Sequence, residues 1–499
     1  MLFAYTTELT NDEAYYYTYA LHLQWNYFDH PPGVAVLINL TTLNLLFKNE
    51  IFIRLGAIIC AAIGTWLSYK IGCVVRNERT GFYAAVLYNT SIYSGIIAGI
   101  FILPDSPQII FWLAALFIMI KIITAYENNR HVIITHWILF GLLCGVCILC
   151  KVHGVFLWVG LGLYILLCNR KIFVRAGFYL ALVITIIIIS PIFLWNMHNH
   201  FITYTYHSNR IAIHHAIIHP GDFIQALIGQ ILYNNPVNVF LILKGILLLK
   251  NKQLFKPAVQ KLLLLTGLPV IILVSLISLF NSVLPHWSGP GFMTLSFIAA
   301  AYLDASNNTV RMPAILKSSL LPIIFTVIIA ITLISFCPGT IGSKKNDNYG
   351  SGDFTLDMSG WKDFANQYKH WMQQRGNNEI ENLKIVCNKW FPAAHIEYYI
   401  AQPMQTRVIG VGSLNDLHNF AWLNKTQIDL KNGENALCII PSNYNIDIDK
   451  IFGNTFSSIT KLYVFTAKRN GKTTRFFSLY FLKNYIKNDE VHTLKFSFK

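Results

Sequence analysis

Residues 176–195 read Ala-Gly-Phe-Tyr-Leu-Ala-Leu-Val-Ile-Thr-Ile-Ile-Ile-Ile-Ser-Pro-Ile-Phe-Leu-Trp, without one charged side chain. A helix of that length rises about 30 Å, the thickness of a bilayer's hydrocarbon core. In hydrocarbon the backbone must satisfy its own hydrogen bonds, so the stretch is read as a membrane-spanning helix. Working outward, similar runs occur at 51–70, 81–100, 107–123, 132–149, 154–168, 222–249, 260–280, 287–303 and 318–337. Together they predict an α-helical polytopic membrane protein with about ten spans between 51 and 338. The composition agrees, with 54% hydrophobic and 13% charged residues, where soluble domains carry about a quarter charged.

The net charge of +15 would suit a nucleic-acid partner if it were clustered on one soluble surface, but it is distributed by loop. Lys70, Arg76, Arg79, Lys121, Arg130, Arg170, Lys171, Arg175, Lys244, Lys250, Lys252, Lys256, Lys261, Arg311 and Lys317 fall in one set of loops. The alternate set holds little besides Lys48, Lys151 and Arg210. Such alternation is the signature of a membrane topology with the basic loops in the cytoplasm, and it argues against a nucleic-acid reading. The segment before Ile51, the loops around Asp105, Lys151, 196–221 and 281–286, and everything after Pro338 are then expected outside.

Three regions follow. Residues 1–50 form an outward acidic segment and an interfacial helix: Gly33 to Phe47 is apolar but too short and too rich in Asn and Thr to span. The membrane domain is 51–338, and a Gly/Ser/Lys/Asn/Asp linker leads into a soluble α/β domain at 354–499. There the periodicity predicts a helix over 361–374, strands over 383–387, 406–411 and 436–440, a helix over 393–400, and a hairpin of 462–467 with 474–481 turning at Asn470-Gly471. Of nine cysteines only Cys387 and Cys438 lie in the soluble part, where a single bridge is one reading; Cys144, Cys147 and Cys150 are read as small packing residues.

Chemistry-bearing residues concentrate on the outward side. Asp12-Glu13 precede the aromatic run Tyr15-Tyr16-Tyr17, and Tyr27-Phe28-Asp29-His30-Pro31-Pro32 follows closely. Either these are catalytic carboxylates or they form a solvated loop with Asp12 as a helix N-cap. Asp105, in Leu-Pro-Asp-Ser-Pro, carries the same two readings. Lys151 lies between apolar runs, where an ammonium needs an anion or must snorkel. With His30, His153 and Arg210 it suits a phosphate, the leaving group of a lipid-linked sugar. Asn196, His286 and Trp287 are either pocket residues or interfacial anchors. His198, His200, His207, His214, His215 and His219 are dense enough for a divalent metal, yet their spacings match no compact ligand motif, so no metal ligand is assigned.

In that order and at those separations, the Asp-Glu-Ala-Tyr-Tyr, Tyr-Phe-Asp-His-Pro-Pro, Leu-Pro-Asp-Ser-Pro, Cys150-Lys151, Trp195-Asn196 and Leu-Pro-His286-Trp287 elements resemble bacterial glycosyltransferases of family 39. Their relatives include the protein O-mannosyltransferases and the lipid A aminoarabinose and core galacturonic acid transferases. The resemblance covers about residues 8 to 305. It implies a helical membrane fold of GT-C type and a polyprenyl-phosphate sugar donor. Transfer, with inversion, would go to a lipid A, lipopolysaccharide core, other glycan or protein acceptor at the outer face of a bacterial cytoplasmic (inner) membrane. By resemblance Asp12 is the catalytic base, with Glu13 beside it and Asp105 the second acidic residue. Lys151 contacts the donor phosphate, and His30 takes the place of a phosphate-binding lysine. No cofactor is implied with certainty. Family members carry a transmembrane helix before the acidic pair, and only eleven residues precede Asp12, so a missing first helix is expected.

Two rivals come from other classes: a transporter or flippase of lipid-linked sugars, and a non-catalytic membrane-anchored assembly protein whose soluble domain acts. The absence of visible inverted halves and the clustering of acidic groups on one face weigh against the first.

Overall fold

The structure is a computed structural model describing residues 2–212, 217–249, 254–307, 309, 311–375, 380, 383–426, 430–444 and 446–486. It divides into two compact units. One comprises Leu23–Lys48 with Phe52–Val327, the other Met1–His22 with Asn49–Ile51 and Ile328–Lys499.

The first unit is helical. Among the described residues of the whole chain, five helices are long and apolar enough to cross a membrane: Glu50–Val75, Asp105–Glu127, Ala176–His198, Pro257–Ile277 and Ala314–Phe336. Ile134–Cys150 and Val152–Cys168 are shorter apolar helices. The run 222–249, read from the sequence as one span, is instead two helices, Pro220–Tyr233 and Pro236–Leu248, bent by 95°. The cause is local. Pro236 disfavours helical backbone at the residue before it, and Asn235 sits at φ 68 with its side chain capping Val237 N. That same Asn235 amide donates to the carbonyls of Thr90 at 2.9 Å and Ser319 at 2.7 Å, so the break is anchored on both sides. The run 81–100 is likewise interrupted: a helix ends at Thr90 and a π-helical turn spans Tyr93–Ile97.

Small residues let these helices approach closely, as packing without a hydrophobic drive requires. A Cβ on Gly72 would lie 2.6 Å from Gly81 Cα, and one on Gly33 2.6 Å from Cys150 Cα. Both obstacles are backbone. Gly72→Ala is therefore expected to cost about 1–3 kcal/mol of stability; an unchanged thermal midpoint in detergent would show that the two helices do not cross there. The packed interior is aromatic as well as aliphatic. Trp112 is fully buried and donates from Nε1 to Thr294 Oγ1 at 2.9 Å. The helix predicted along 33–47 ends at Thr41, because Leu43, Asn44 and Leu45 all take positive φ.

The basic loops meet at one end of this unit. Arg76 pairs with Asp304 at 2.7 Å and donates to the Leu254 carbonyl, and Lys256 donates to Asn128 Oδ1. Asn128 caps the C-terminus of the helix that Asp105 begins, so Asp105 lies at the opposite end.

The second unit holds the α/β fold expected at the C-terminus. Its sheet runs β2-β1-β3-β5-β4, with β1 Lys384–Cys387, β2 Val408–Gly410, β3 Ala436–Pro441, β4 Phe456–Arg469 and β5 Lys472–Tyr485. β2, β1 and β3 are parallel; β5 and β4 continue antiparallel. The hairpin turns at Asn470-Gly471, both with φ above zero, as an Asn-Gly two-residue loop demands. Cys387 and Cys438 are free. Val386, not Cys387, is level with Cys438, so the two thiols leave opposite faces of the sheet and the bridge considered from sequence cannot form.

The acidic N-terminal segment is built into this same unit. Glu8 accepts from the Trp361 and Lys362 backbone amides at 2.7 and 3.1 Å, neutralising the start of the Trp361–Arg375 helix. Leu9 N donates to Tyr399 Oη, and His395 Nε2 donates to Asn11 Oδ1, both at 2.9 Å. The His395 ring stacks on Trp361 with 8° between planes. Burial holds its pKa well below the usual histidine value, with Arg475 acting the same way.

Candidate active site

In the membrane unit two helix ends meet. Asp105 opens the Asp105–Glu127 helix, and Lys151 closes the antiparallel Ile134–Cys150 helix. A carboxylate at a helix N-terminus and an ammonium at a C-terminus each suit the local dipole. Lys151 Nζ donates to both Asp105 oxygens, at 2.9 and 2.7 Å, with both side chains under 5% exposed. The lysine therefore does not snorkel, and the aspartate's side chain does not cap its helix. Tyr93, carried on the π-helical turn, donates to Asp105 Oδ1 at 3.2 Å. One turn beyond Asp105, Gln108 is buried with neither amide atom paired. A polar group left so costs about 1–3 kcal/mol, and in a native protein it calls for an explanation such as strain, a catalytic role or a bound water or ion.

Ring contacts and a hydrogen bond tie together several of the other residues singled out in the same unit. His207 Nε2 donates to the Asp29 carbonyl at 2.7 Å and its ring lies 6.2 Å from that of His30. Arg210 lies between two aromatic faces, Tyr206 at 5.6 Å and Trp287 at 5.3 Å, which fixes a side chain that is otherwise costly to order. Trp287 in turn meets His153 at 5.8 Å. The charges of Asp105 and Lys151 act on His30, His153 and His286, so Asp29, His30, Asp105, Lys151, His153, Arg210, His286 and Trp287 belong to one neighbourhood. Asn196 is structural instead. Fully buried, it donates to the Ile192 carbonyl and accepts from Thr203 N, joining two helices.

The histidines here are neutral. Burial pushes His30 down to about 3, against the opposing pull of Asp29, and His286 down to about 4; it lowers His207 as well. An unfolded histidine titrates near 6.5. Between pH 6.5 and about 3 the unfolded chain therefore binds more protons than the folded one, so stability is present above 6.5 and lost as pH falls. We expect the thermal midpoint to drop between pH 7.5 and 5, and His30→Gln to flatten that drop; a midpoint independent of pH would contradict neutral burial.

Asp12, Glu13, Tyr15 and Tyr16 lie in the second unit, on the helix Asn11–Leu21. Its N-cap is Thr10, not Asp12. Thr10 Oγ1 accepts from Glu13 N at 3.2 Å, and Glu13 Oε2 accepts from Thr10 N at 2.9 Å, a reciprocal capping box. That assigns the fully buried Glu13 a structural bond and leaves Asp12 exposed. Asp12, Tyr15, Tyr16 and Tyr19 recur at helical spacing and share one stripe. Tyr15 Oη accepts from Asn419 N at 3.1 Å, and its ring packs on Trp390 at 5.0 Å.

Among the described residues no group of three His, Cys, Asp or Glu side chains could hold a metal ion. Of the histidine-rich loop, His214 and His215 fall outside the described residues, while His207 serves Asp29 instead. The motif reading omits Tyr93, Gln108, Tyr206 and Arg54. Nothing local marks the first three. Arg54, fully buried over the Phe101 ring, did carry a signal: a charged residue inside an apolar run.

A family model described as dolichyl-phosphate-mannose-protein mannosyltransferase matches residues 29–195. No curated protein matches the chain. Two solved structures of ArnT from Cupriavidus metallidurans share its fold. The apo form is 13% identical with a TM-score of 0.62, and the form bound to undecaprenyl phosphate is 12% identical with 0.60. Each comparison covers 96% of this chain and 95% of the other. The resemblance to family 39 glycosyltransferases and the expected polytopic membrane fold with a C-terminal α/β region are thereby borne out.

Proposed function

We propose, on the premise of this glycosyltransferase fold, that the chain transfers a sugar from a polyprenyl-phosphate donor to an acceptor at the outer face of a bacterial cytoplasmic membrane. The carrying observation is the buried Asp105–Lys151 pair with Tyr93, a fixed cation in a low-dielectric setting. Lys151 has three N–H donors and Asp105 engages two, which leaves one for an oxygen of the donor phosphate. Arg210, held between its two rings, supplies a second cation. His30, being neutral, offers a hydrogen bond rather than a charge.

In the reaction the acceptor oxygen attacks the anomeric carbon as the bond from that carbon to the phosphate oxygen breaks. The phosphate leaves with the bonding electrons, its charge met by the cations. Asp12, exposed in the first turn of its helix, takes by the family resemblance the proton from an acceptor hydroxyl. Attack opposite the leaving group inverts the anomeric centre. The acceptor classes are lipid A, lipopolysaccharide core, another glycan or a protein.

The test is a deletion strain compared with its parent by mass spectrometry of lipopolysaccharide and glycoproteins, together with purified protein in liposomes carrying polyprenyl-phosphate-linked labelled sugar. Loss of one sugar in the strain, and release of polyprenyl phosphate matched to labelled acceptor in the liposomes, are expected. Movement of the intact donor across the bilayer without cleavage would instead identify a carrier.

A further inference from the structure

In the α/β unit, parallel strands β1, β2 and β3 end side by side at Cys387, Gly410 and Pro441. Ligands of open α/β sheets bind outside such carboxyl ends, above all where neighbouring connections diverge. They diverge here: the chain leaves β1 toward β2 on one side, and leaves β3 toward β4 on the other.

The residues that follow these strands are unlike ordinary loop residues. After β1, Lys389 Nζ lies 5.1 Å above the Tyr444 ring and 5.6 Å above Phe391, and Asn388 donates to Tyr444 Oη. Next to it the half-buried Trp390 stacks on His418 with 12° between planes. His418, after β2, holds φ at 50 and ψ at −129, a region that costs a non-glycine residue about 1–3 kcal/mol and concentrates at functional sites. Its neighbour Asn419 is fully buried with both amide atoms unpaired. After β3, Asn443 Oδ1 is also buried and unpaired. An amide with neither atom paired, a second amide with its oxygen unpaired, an indole and a lysine thus all follow the carboxyl ends of these strands.

From this we infer that the carboxyl ends of β1, β2 and β3 bind a saccharide bearing an anionic group, through Trp390, Asn419, Asn443 and Lys389. An indole presents a flat apolar face that matches the C–H face of a sugar ring. An amide both donates and accepts, as vicinal hydroxyls require. Lys389 meets a carboxylate or phosphate substituent. Tyr15 joins Trp390 to the helix that carries Asp12, so the bound saccharide is the acceptor; this last clause rests on the proposed transfer reaction.

The experiment is saturation-transfer NMR on the full-length protein in detergent, with methyl galacturonide and methyl galactoside as probes. Saturable transfer to both is expected, tighter for the acidic sugar. Lys389→Met should remove that preference, and Trp390→Ala should weaken both at least tenfold, with thermal midpoints reported for each variant. Saturating polyprenyl phosphate should leave saccharide binding unchanged; competition would mean that the donor's phosphate, not an acceptor saccharide, sits here, and would overturn the acceptor assignment. No saturable signal from either probe, or a Lys389→Met protein that keeps its acidic preference, overturns the inference. Asp12→Asn is expected to bind the probes as wild type, so a failure of this site and a failure of the transfer reaction are separately visible.

Discussion

Asp12→Asn is expected to reduce sugar transfer to a hydroxyl acceptor by about 10²–10⁴-fold, the range a positioned general base supplies, while donor binding and fold persist. The fold should persist because the helix start does not depend on Asp12. Its capping box is made by Thr10 and Glu13, and its docking by Leu9, Asn11 and Tyr15. The converse change separates the two carboxylates. Glu13→Gln keeps a side-chain oxygen for the Thr10 amide and should transfer nearly normally, since the carboxylate's resolved bond is structural. The acceptor's chemistry modulates the first result. A phosphate acceptor is already ionised and needs no base, so with such an acceptor Asp12→Asn should cost less than about tenfold. Wild-type transfer by Asp12→Asn to a hydroxyl acceptor would remove Asp12 from the reaction.

The second large effect concerns the buried ion pair. Lys151→Met leaves the Asp105 carboxylate nearly inaccessible to water with only the Tyr93 hydroxyl as a resolved partner. Breaking one partner of a buried pair costs about 3–5 kcal/mol, whereas replacing both with neutral groups is often close to neutral. The expected series by thermal unfolding is therefore a large loss for Lys151→Met and substantial recovery in the double variant Asp105→Asn with Lys151→Met. Transfer should be lost in both. Recovery of stability without recovery of activity distinguishes a charge kept for chemistry from one kept for folding. If the double variant transfers at the parental rate, the pair has no part in the reaction; if Lys151→Met melts like the parent, the pair is not the buried contact described.

The helical membrane architecture was legible because it depends on composition within a window. An apolar run such as 176–195 must be a helix in lipid whatever surrounds it, and it forms the helix Ala176–His198. Asn470-Gly471 was legible for a similar reason, since Asn-Gly is the pair that most readily takes the two positive φ values of a tight hairpin turn. The run 222–249 was misread because apolarity alone does not register Asn235-Pro236 as a corner. Arg54 could have been flagged on the same grounds as Lys151.

What the sequence determined by itself was the solvent of each segment and the set of ionisable groups out of place in it: Asp105 and Lys151 among apolar runs, Asp12 and Glu13 before a tyrosine cluster. Only the tertiary structure decided their partners. It joined Lys151 to Asp105 across 46 positions, gave Glu13 to a cap, and built residues 8–21 into the same unit as a sheet nearly 400 positions away. Hydropathy is a property of neighbours along the chain, whereas an ion pair or a ring contact depends on which helix ends and strand ends packing brings together.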